Sequence, residues 1–360
     1  MPGIPVTYTP LLTGVRTTSV AARRRRERAG NALVLTGAAV VLMALLVIPL
    51  FLGASILAWL PLPDGAWSRL GILFAGSAKA AICALVLAVP LGLAAAIFSA
   101  QFAAPGFRNW FKPGLEVLEA IPTVVLGLVA FATLAPSLKV NVMTLLALIV
   151  AMPALLLAAG FAFGGAFRRQ AGWLPLWLVP TLFALVVAIV AVLSPHQTDA
   201  IVPRSPWNAV LVGLALGLAA IPMIFSVAED ALMQVPSTHL QAALALGATR
   251  WQAIRSIVLP AARPGLVAAC ALGASRCLGE TMIVLMASGN TPIGDANPLA
   301  GLRSISAELA LGLPEAAPPS GAYRMLMLAA LVLFALTFAL NLLAERARSH
   351  LRRARSAALP

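Results

Sequence analysis

The hydrophobic residues of this chain fall in long unbroken runs, set apart by short polar segments. Eight runs reach the ~17–25 apolar residues a helix needs to cross a bilayer: about 31–60, 70–99, 114–136, 140–166, 172–194, 207–228, 262–288 and 325–344. Strands of a closed barrel would alternate apolar and polar positions. These runs do not alternate, so the pattern predicts an all-α fold, a polytopic transmembrane helical bundle. Proline falls inside several runs, at Pro49, Pro90, Pro122, Pro153, Pro180 and Pro222. Membrane helices tolerate it where neighbours satisfy the freed carbonyls.

The pattern divides the chain into a basic tail over 1–30, a membrane domain over 31–345 and a second basic tail over 346–360. Two polar segments exceed a simple turn, about 229–261 and 289–323. In the first, Pro236, Ser237 and Thr238 read as a helix start. Gly247 breaks that helix where a left-handed conformation costs little. A second helix begins near Thr249, with Trp251, Ile254, Ile257 and Val258 on one apolar stripe and Arg250 and Arg255 pointing elsewhere. Pro260 and Pro264 are expected to separate it from the next span. Periodicity alone makes this elbow an amphipathic helix at the membrane interface.

Composition agrees. Of the 360 residues, 61% are hydrophobic and 10% charged, against about 25% charged in a soluble domain, so lipid is the main solvent. The net charge of +13 is unevenly spread. With the N-terminus inside and eight crossings, eighteen of the 25 Lys and Arg residues fall inside, including Arg23–Arg26, Arg108, Lys112, Arg168, Arg169, Arg250 and Arg346. Five fall outside (Arg69, Lys139, Arg204, Arg303 and Arg324), and Lys79 and Arg276 lie within spans. The positive-inside rule then places both termini in the cytoplasm and accounts for the basic charge without nucleic acid. The first run exceeds the ~7–15 residues of a signal-peptide core, so it reads as a retained span.

Candidate chemistry is sparse. Cys83, Cys270 and Cys277 sit in apolar runs without a CxxC pair, which predicts small buried hydrophobes and neither a zinc site nor a disulfide framework. His196, His239 and His350 show no ligand spacing, and neither HExxH nor GxSxG occurs. The only lysines, Lys79, Lys112 and Lys139, are followed by Ala80, Pro113 and Val140, so no Walker A lysine is available. The expectation is a non-enzymatic chain with no cofactor of its own.

The polar residues inside spans carry more information. Arg276 costs ~2.5–3.5 kcal/mol to insert at mid-span. Glu280 follows four residues on, one helical turn away. Two readings stay open: an internal ion pair that neutralises both charges, or a cationic site on an anion pathway, formed by Arg276, Glu280 and Thr281, in which Glu280 holds the guanidinium. Arginine suits tetrahedral oxyanions because its planar fork donates two hydrogen bonds at once. Lys79 is expected to snorkel to the headgroups. Glu229 and Asp230 are expected to pair with the elbow arginines. Gly213-x3-Gly217 and Gly160-x3-Gly164 permit close helix packing.

Gln241-Ala242-Ala243, Gly247 and Ile257-x-Leu259-Pro260 resemble the cytoplasmic "EAA" signature of bacterial ABC importer permeases, with Gln241 in place of the usual Glu. The resemblance implies that Gln241, Ala242, Ala243, Gly247, Ile257, Leu259 and Pro260 form a coupling elbow seated on a separate ATPase. Arg276-Cys277-Leu278-Gly279-Glu280-Thr281-Met282, with Gly289-Asn290, is similar to the R-A-x-G-E-T-M…G-N run of phosphate-importer permeases of the PstC type. Glu116 to Gly127 is similar to that family's E-L-L-A-x-I-P-S-x-V-Y-G, with Glu119 replacing a small residue and Leu126 an aromatic one. Glu119 is expected to face the cytoplasmic interface. Val89-Pro90-Leu91-Gly92 and the outer segment Ser304–Ala310 also resemble family elements.

The resemblance covers about 70–136 and 207–345. It implies the type I importer permease class: a six-span core, with about 140–194 as an inserted hairpin and 229–261 as the elbow. It further implies half of a phosphate pathway in a bacterial inner membrane. The implied partners are a PstA-type second permease, two ATPase subunits that bind the ATP and Mg, an external phosphate-binding protein and the lipid bilayer. A permease for another oxyanion such as molybdate or sulfate, a secondary transporter and a structural membrane scaffold remain as alternatives.

Overall fold

The computed structural model describes residues 20–58, 62–135, 207–318 and 320–357, and every regular element in them is a helix. The predicted spans 140–166 and 172–194, with Gly160, Gly164, Arg168 and Arg169, lie outside the described residues. Five helices are long and apolar enough to cross a membrane: Glu27–Leu57, Ala66–Gln101, Ala209–Met233, Arg250–Gly279 and Gly321–Ser349. A sixth crossing is available from a bent pair, Arg108–Ala120 with Thr123–Leu134.

The first helix, α1 (Val20–Ala58), starts inside the basic tail and carries Pro49 without breaking. Most of it belongs to a compact unit that ends at Ala54. Its apolar side chains, among them Leu33, Val40, Met43 and Leu50, are exposed on all sides, a surface suited to hydrocarbon.

The second unit is built on α2 (Ala66–Gln101) and α5 (Ala209–Met233), about 54 and 37 Å long at 1.5 Å per residue. The helices run parallel: Gly213 lies against Cys83 and Ala84, Gly217 against Ala84 and Leu87, and Ile224 against Gly92. A Cβ on Gly213 would come within 2.5 Å of Cys83 Cβ, so the small-residue repeat is what brings the backbones together. Both helices pass through an internal proline, Pro90 and Pro222. The buried core around them is mostly alanine, with Leu211, Leu216, Ile224 and Phe225 as its larger members.

Between these helices in sequence come α3 (Pro105–Ala120) and α4 (Thr123–Val129), the latter continued by a π turn at Ala130–Leu134. The run 114–136 is therefore not one straight span. Its two parts meet at 84°. Pro122 is the cause: proline disfavours the helical region for the residue before it, and Ile121 is extended, with ψ 126°.

After α5 the elbow holds α6 (Ser237–Ala245) and α7 (Arg250–Ala253). A π turn at Ile254–Val258 joins α7 to α8 (Leu259–Gly279). Pro260 and Pro264 were expected to end the elbow helix, yet it runs unbroken into the span, from Arg250 to Gly279. The π turn absorbs the proline. Leu259 N–H donates to Ile254 O, five residues back, so the ladder is already shifted where Pro260 supplies no donor.

The run 262–288 is broken as well. α8 stops at Gly279, Glu280 is extended (ψ 126°), and α9 (Met282–Ala287) follows. The polar segment after it carries α10 (Ile305–Gly312), capped by the Ser304 hydroxyl, which accepts from Ala307 N–H at 3.1 Å. α11 (Gly321–Ala357) returns antiparallel to α8, with Ala344 against Ala268 and Ala271, and Ser275 Oγ donating to Thr337 O at 3.5 Å.

Candidate functional site

The elbow is shaped by local codes. Gly247 has φ 86°, a conformation other residues adopt at a cost. Its N–H donates to Leu244 O at 3.0 Å, and Ala248 N–H donates to Ala243 O at 3.1 Å. These two bonds form a Schellman stop. Thr249 and Gln252 then form a reciprocal capping box: Gln252 N–H donates to Thr249 Oγ1 at 3.3 Å, and Thr249 N–H to Gln252 Oε1 at 2.8 Å. Ala243, Ile254 and Val258 are buried and tie the elbow to the bundle. Gln241, Ala242 and Gly247 face outward, and Leu246 is 89% exposed at the tip. Trp251, placed on the apolar stripe by sequence, is exposed. It lies beside Phe102, over whose ring the Arg250 guanidinium sits at 5.5 Å.

At the elbow end of α5, Glu229 is completely buried. Its partners are not the elbow arginines that sequence suggested. Ser99 Oγ donates to Oε1 at 2.6 Å, Arg108 Nε approaches Oε1 at 3.1 Å, and Lys112 Nζ approaches Oε2 at 3.3 Å. Lys112 also reaches Asp230 at 3.5 Å. The cluster clamps α3 to α2 and α5 across more than a hundred residues of sequence.

Arg108, Lys112 and Glu119 share one face of α3, since offsets of four and eleven residues both return near the starting angle of a 3.6-residue helix. The far end of that face meets Arg276. Glu119 Oε1 lies 3.5 Å from Arg276 Nη1, and both side chains are partly exposed, at 40% and 28%. The buried Nε of Arg276 has no hydrogen-bond partner among the described residues.

Glu280 does not hold the guanidinium. With the helix broken at Gly279, its carboxylate accepts from Met282 N–H at 3.3 Å, and its carbonyl accepts from Ser306 Oγ at 2.9 Å. Glu280 thus shapes the break instead of neutralising Arg276. The carboxylate beside Arg276 is that of Glu119. Thr281 stands at the break itself, its hydroxyl 3.5 Å from Gly279 O. The two helix breaks are brought together by Gly127 of α4, where a Cβ would lie 3.1 Å from Met286 Sδ and 3.3 Å from Ile283 Cα of α9. An apolar groove of about 430 Å³ lies further along the same contact, between Leu128, Phe131, Trp207 and Asn290. Phe131 and Trp207 stack there at 4.6 Å.

Beyond the breaks the polar segment 289–323 is pinned by charge. Glu308 of α10, 6% exposed, meets Arg69 Nη2 at 2.8 Å and Arg303 Nε at 2.6 Å. Lys79 is tied to the same segment. Its ammonium donates to the carbonyls of Asp295 at 2.9 Å, Asn297 at 3.2 Å and Gly301 at 3.5 Å. Sequence reasoning missed both arrangements, because Arg69 and Glu308, and Lys79 and its carbonyls, lie more than two hundred residues apart.

The family described as "Binding-protein-dependent transport system inner membrane component" matches residues 171–355, starting inside the segment read above as an inserted hairpin. The chain is 29% identical over 279 residues to the phosphate transport system permease protein PstC of Mycobacterium leprae, covering 76% of this chain and 73% of that protein. It is 29% identical over 273 residues to PstC 2 of Mycobacterium tuberculosis, covering 75% and 70%. It is 27% identical over 271 residues to PstC of Xylella fastidiosa strain 9a5c, again covering 75% and 70%. A multi-pass helical bundle with a capped polar elbow, matched over half its length, is a member of the binding-protein-dependent transport system inner membrane component family.

Proposed function

We propose that this chain is one permease subunit of an ATP-driven importer of inorganic phosphate and forms half of the transmembrane pathway. The observation that carries the reading is Arg276: a partly exposed guanidinium where two helix breaks meet, held only by a 3.5 Å contact of Nη1 with Glu119. A planar guanidinium offers paired donors to a tetrahedral oxyanion, and broken helices are where membrane transporters place their substrates. The phosphate transport named in the relatives supports the choice of anion.

Arg276 contacts phosphate as it passes. Thr281 lines the break, and Glu280 holds the break open through Met282. The elbow faces the cytoplasm, as do both termini. Gln241, Ala242, Ala243 and Gly247 meet a separate ATPase, while Ile257, Leu259 and Pro260 join the elbow rigidly to α8. Two ATPase copies bind ATP and Mg, and a PstA-type permease supplies the other half of the pathway. An external phosphate-binding protein delivers the substrate to the outer segment. When the ATPases close, the movement passes through the Gly247 turn to α7, which moves as one piece with α8 because a single helix runs from Arg250 to Gly279. The movement therefore reaches Arg276 directly.

The test is uptake of labelled phosphate by the complete transporter in proteoliposomes. Arg276→Gln is expected to reduce uptake to background while the complex still assembles and the loaded binding protein still docks. Normal uptake by that variant overturns the pathway. Competition by sulfate or molybdate, equal to that by unlabelled phosphate, overturns the choice of anion.

A further inference from the structure

We infer that Glu119 is a resident counter-charge for Arg276, a carboxylate that the transported anion displaces and that afterwards speeds its release. The inference rests on the phosphate-pathway reading above and adds a role for a side chain on a different helix.

Three features of the pair separate it from the structural ion pairs of the same molecule. Glu308 is 6% exposed and meets its arginines at 2.8 and 2.6 Å. Glu229 is fully buried and holds Arg108 at 3.1 Å. Such enclosed carboxylates are costly to uncover. Glu119 makes a single contact with Arg276 at 3.5 Å, with 40% of its side chain exposed, so the pair is loosely held and open to exchange.

Its position is equally specific. Glu119 is the penultimate residue of α3, at the start of the 84° bend, and Arg276 lies three residues before the end of α8. Each partner sits where its helix gives out. The Arg276 fork is only partly used, since Nη1 meets Glu119 while the buried Nε donates to nothing among the described residues. A tetrahedral dianion carries more charge than a carboxylate and can take two donors at once, so it can replace Glu119. Once it is seated, the displaced carboxylate is a like charge close by and weakens the hold. A pathway must bind its ion enough to admit it and loosely enough to let it go.

The experiment uses the whole complex and reads Arg276 directly. Phenylglyoxal modifies exposed arginines, and peptide mass spectrometry quantifies the Arg276 peptide over a series of inorganic phosphate concentrations. In Glu119→Gln, Arg276 should react several-fold faster without phosphate, and the half-protecting phosphate concentration should fall about tenfold, a modest share of what a like charge across a binding site is worth. Maximal uptake of labelled phosphate should fall in the same variant through slower release, and Glu119→Asp should restore it. If phosphate protects Arg276 at the same concentration in wild type and Glu119→Gln, the counter-charge role is overturned and the pathway stands. If phosphate fails to protect Arg276 in the wild type, the pathway reading falls and this inference with it.

Discussion

Arg276 of α8 is paired with Glu119 of α3, 157 residues earlier in the chain, at 3.5 Å, and not with Glu280 one turn further on. The pairing links the only two described helices that break inside predicted spans. It also sets the guanidinium at the end of a helix face whose other end is clamped to Glu229 through Arg108 and Lys112. The elbow and the candidate anion site are therefore joined twice, through the continuous helix Arg250–Gly279 and through α3.

The geometry of the fork predicts the behaviour of Arg276→Lys. An ammonium keeps the charge and the attraction to an anion but loses the paired donors. Uptake should fall about tenfold, equivalent to about 1.4 kcal/mol, while the salt dependence of uptake stays near that of wild type. Equal uptake by the two proteins would show that a point charge suffices.

Gly247 holds the elbow in a left-handed turn, φ 86°. Gly247→Val places a β-branched residue there at about 1–2 kcal/mol of strain. The expected result is continued ATP hydrolysis by the assembled transporter with phosphate uptake largely lost. Gly247→Asn, a residue that tolerates this conformation, should remain coupled. Coupled transport in Gly247→Val would leave the elbow as an anchor alone.

Gly213 decides how closely α2 and α5 approach. In Gly213→Ala the new methyl would meet both the side chain and backbone of Cys83, at 2.5 and 2.9 Å, and overpacking of this kind costs about 1–3 kcal/mol. Gly71→Ala is the control, because that position on α2 has nothing within 4 Å. Thermal unfolding in detergent should show a lowered midpoint for the first and none for the second.

Removing the Glu308 carboxylate strands Arg303, which is 21% exposed, and releases Arg69, which is 61% exposed. Breaking a buried pair costs about 3–5 kcal/mol; the exposure of both arginines puts Glu308→Ala at the lower end. Arg69→Ala should cost no more than about 1 kcal/mol, as for a surface ion pair. Limited proteolysis of the segment from Thr291 to Arg303 reads the difference, with faster cleavage in Glu308→Ala than in Arg69→Ala.

Much of this protein is legible along the chain, because the governing interactions are local. A run of apolar residues makes a membrane helix wherever it sits, since the backbone must satisfy itself in lipid. The stop at Gly247 and the cap at Thr249 each depend on neighbours within five residues, so their sequence signals suffice. The Gly213–Gly217 repeat likewise marks a contact surface, although only the fold names Cys83 and Leu87 as what it touches.

Partner choice among the buried charges belongs to the tertiary structure. A one-turn spacing pairs Arg276 with Glu280 only if the helix continues, and it stops at Gly279. Lys79 finds the carbonyls of Asp295, Asn297 and Gly301, and Glu229 finds Arg108, because packing delivers segments far apart in sequence to the same place. In a low-dielectric interior a charge takes whatever counter-charge or dipole the fold brings within reach. The chain alone states that Arg276 needs a partner; only the meeting of two broken helices makes that partner Glu119.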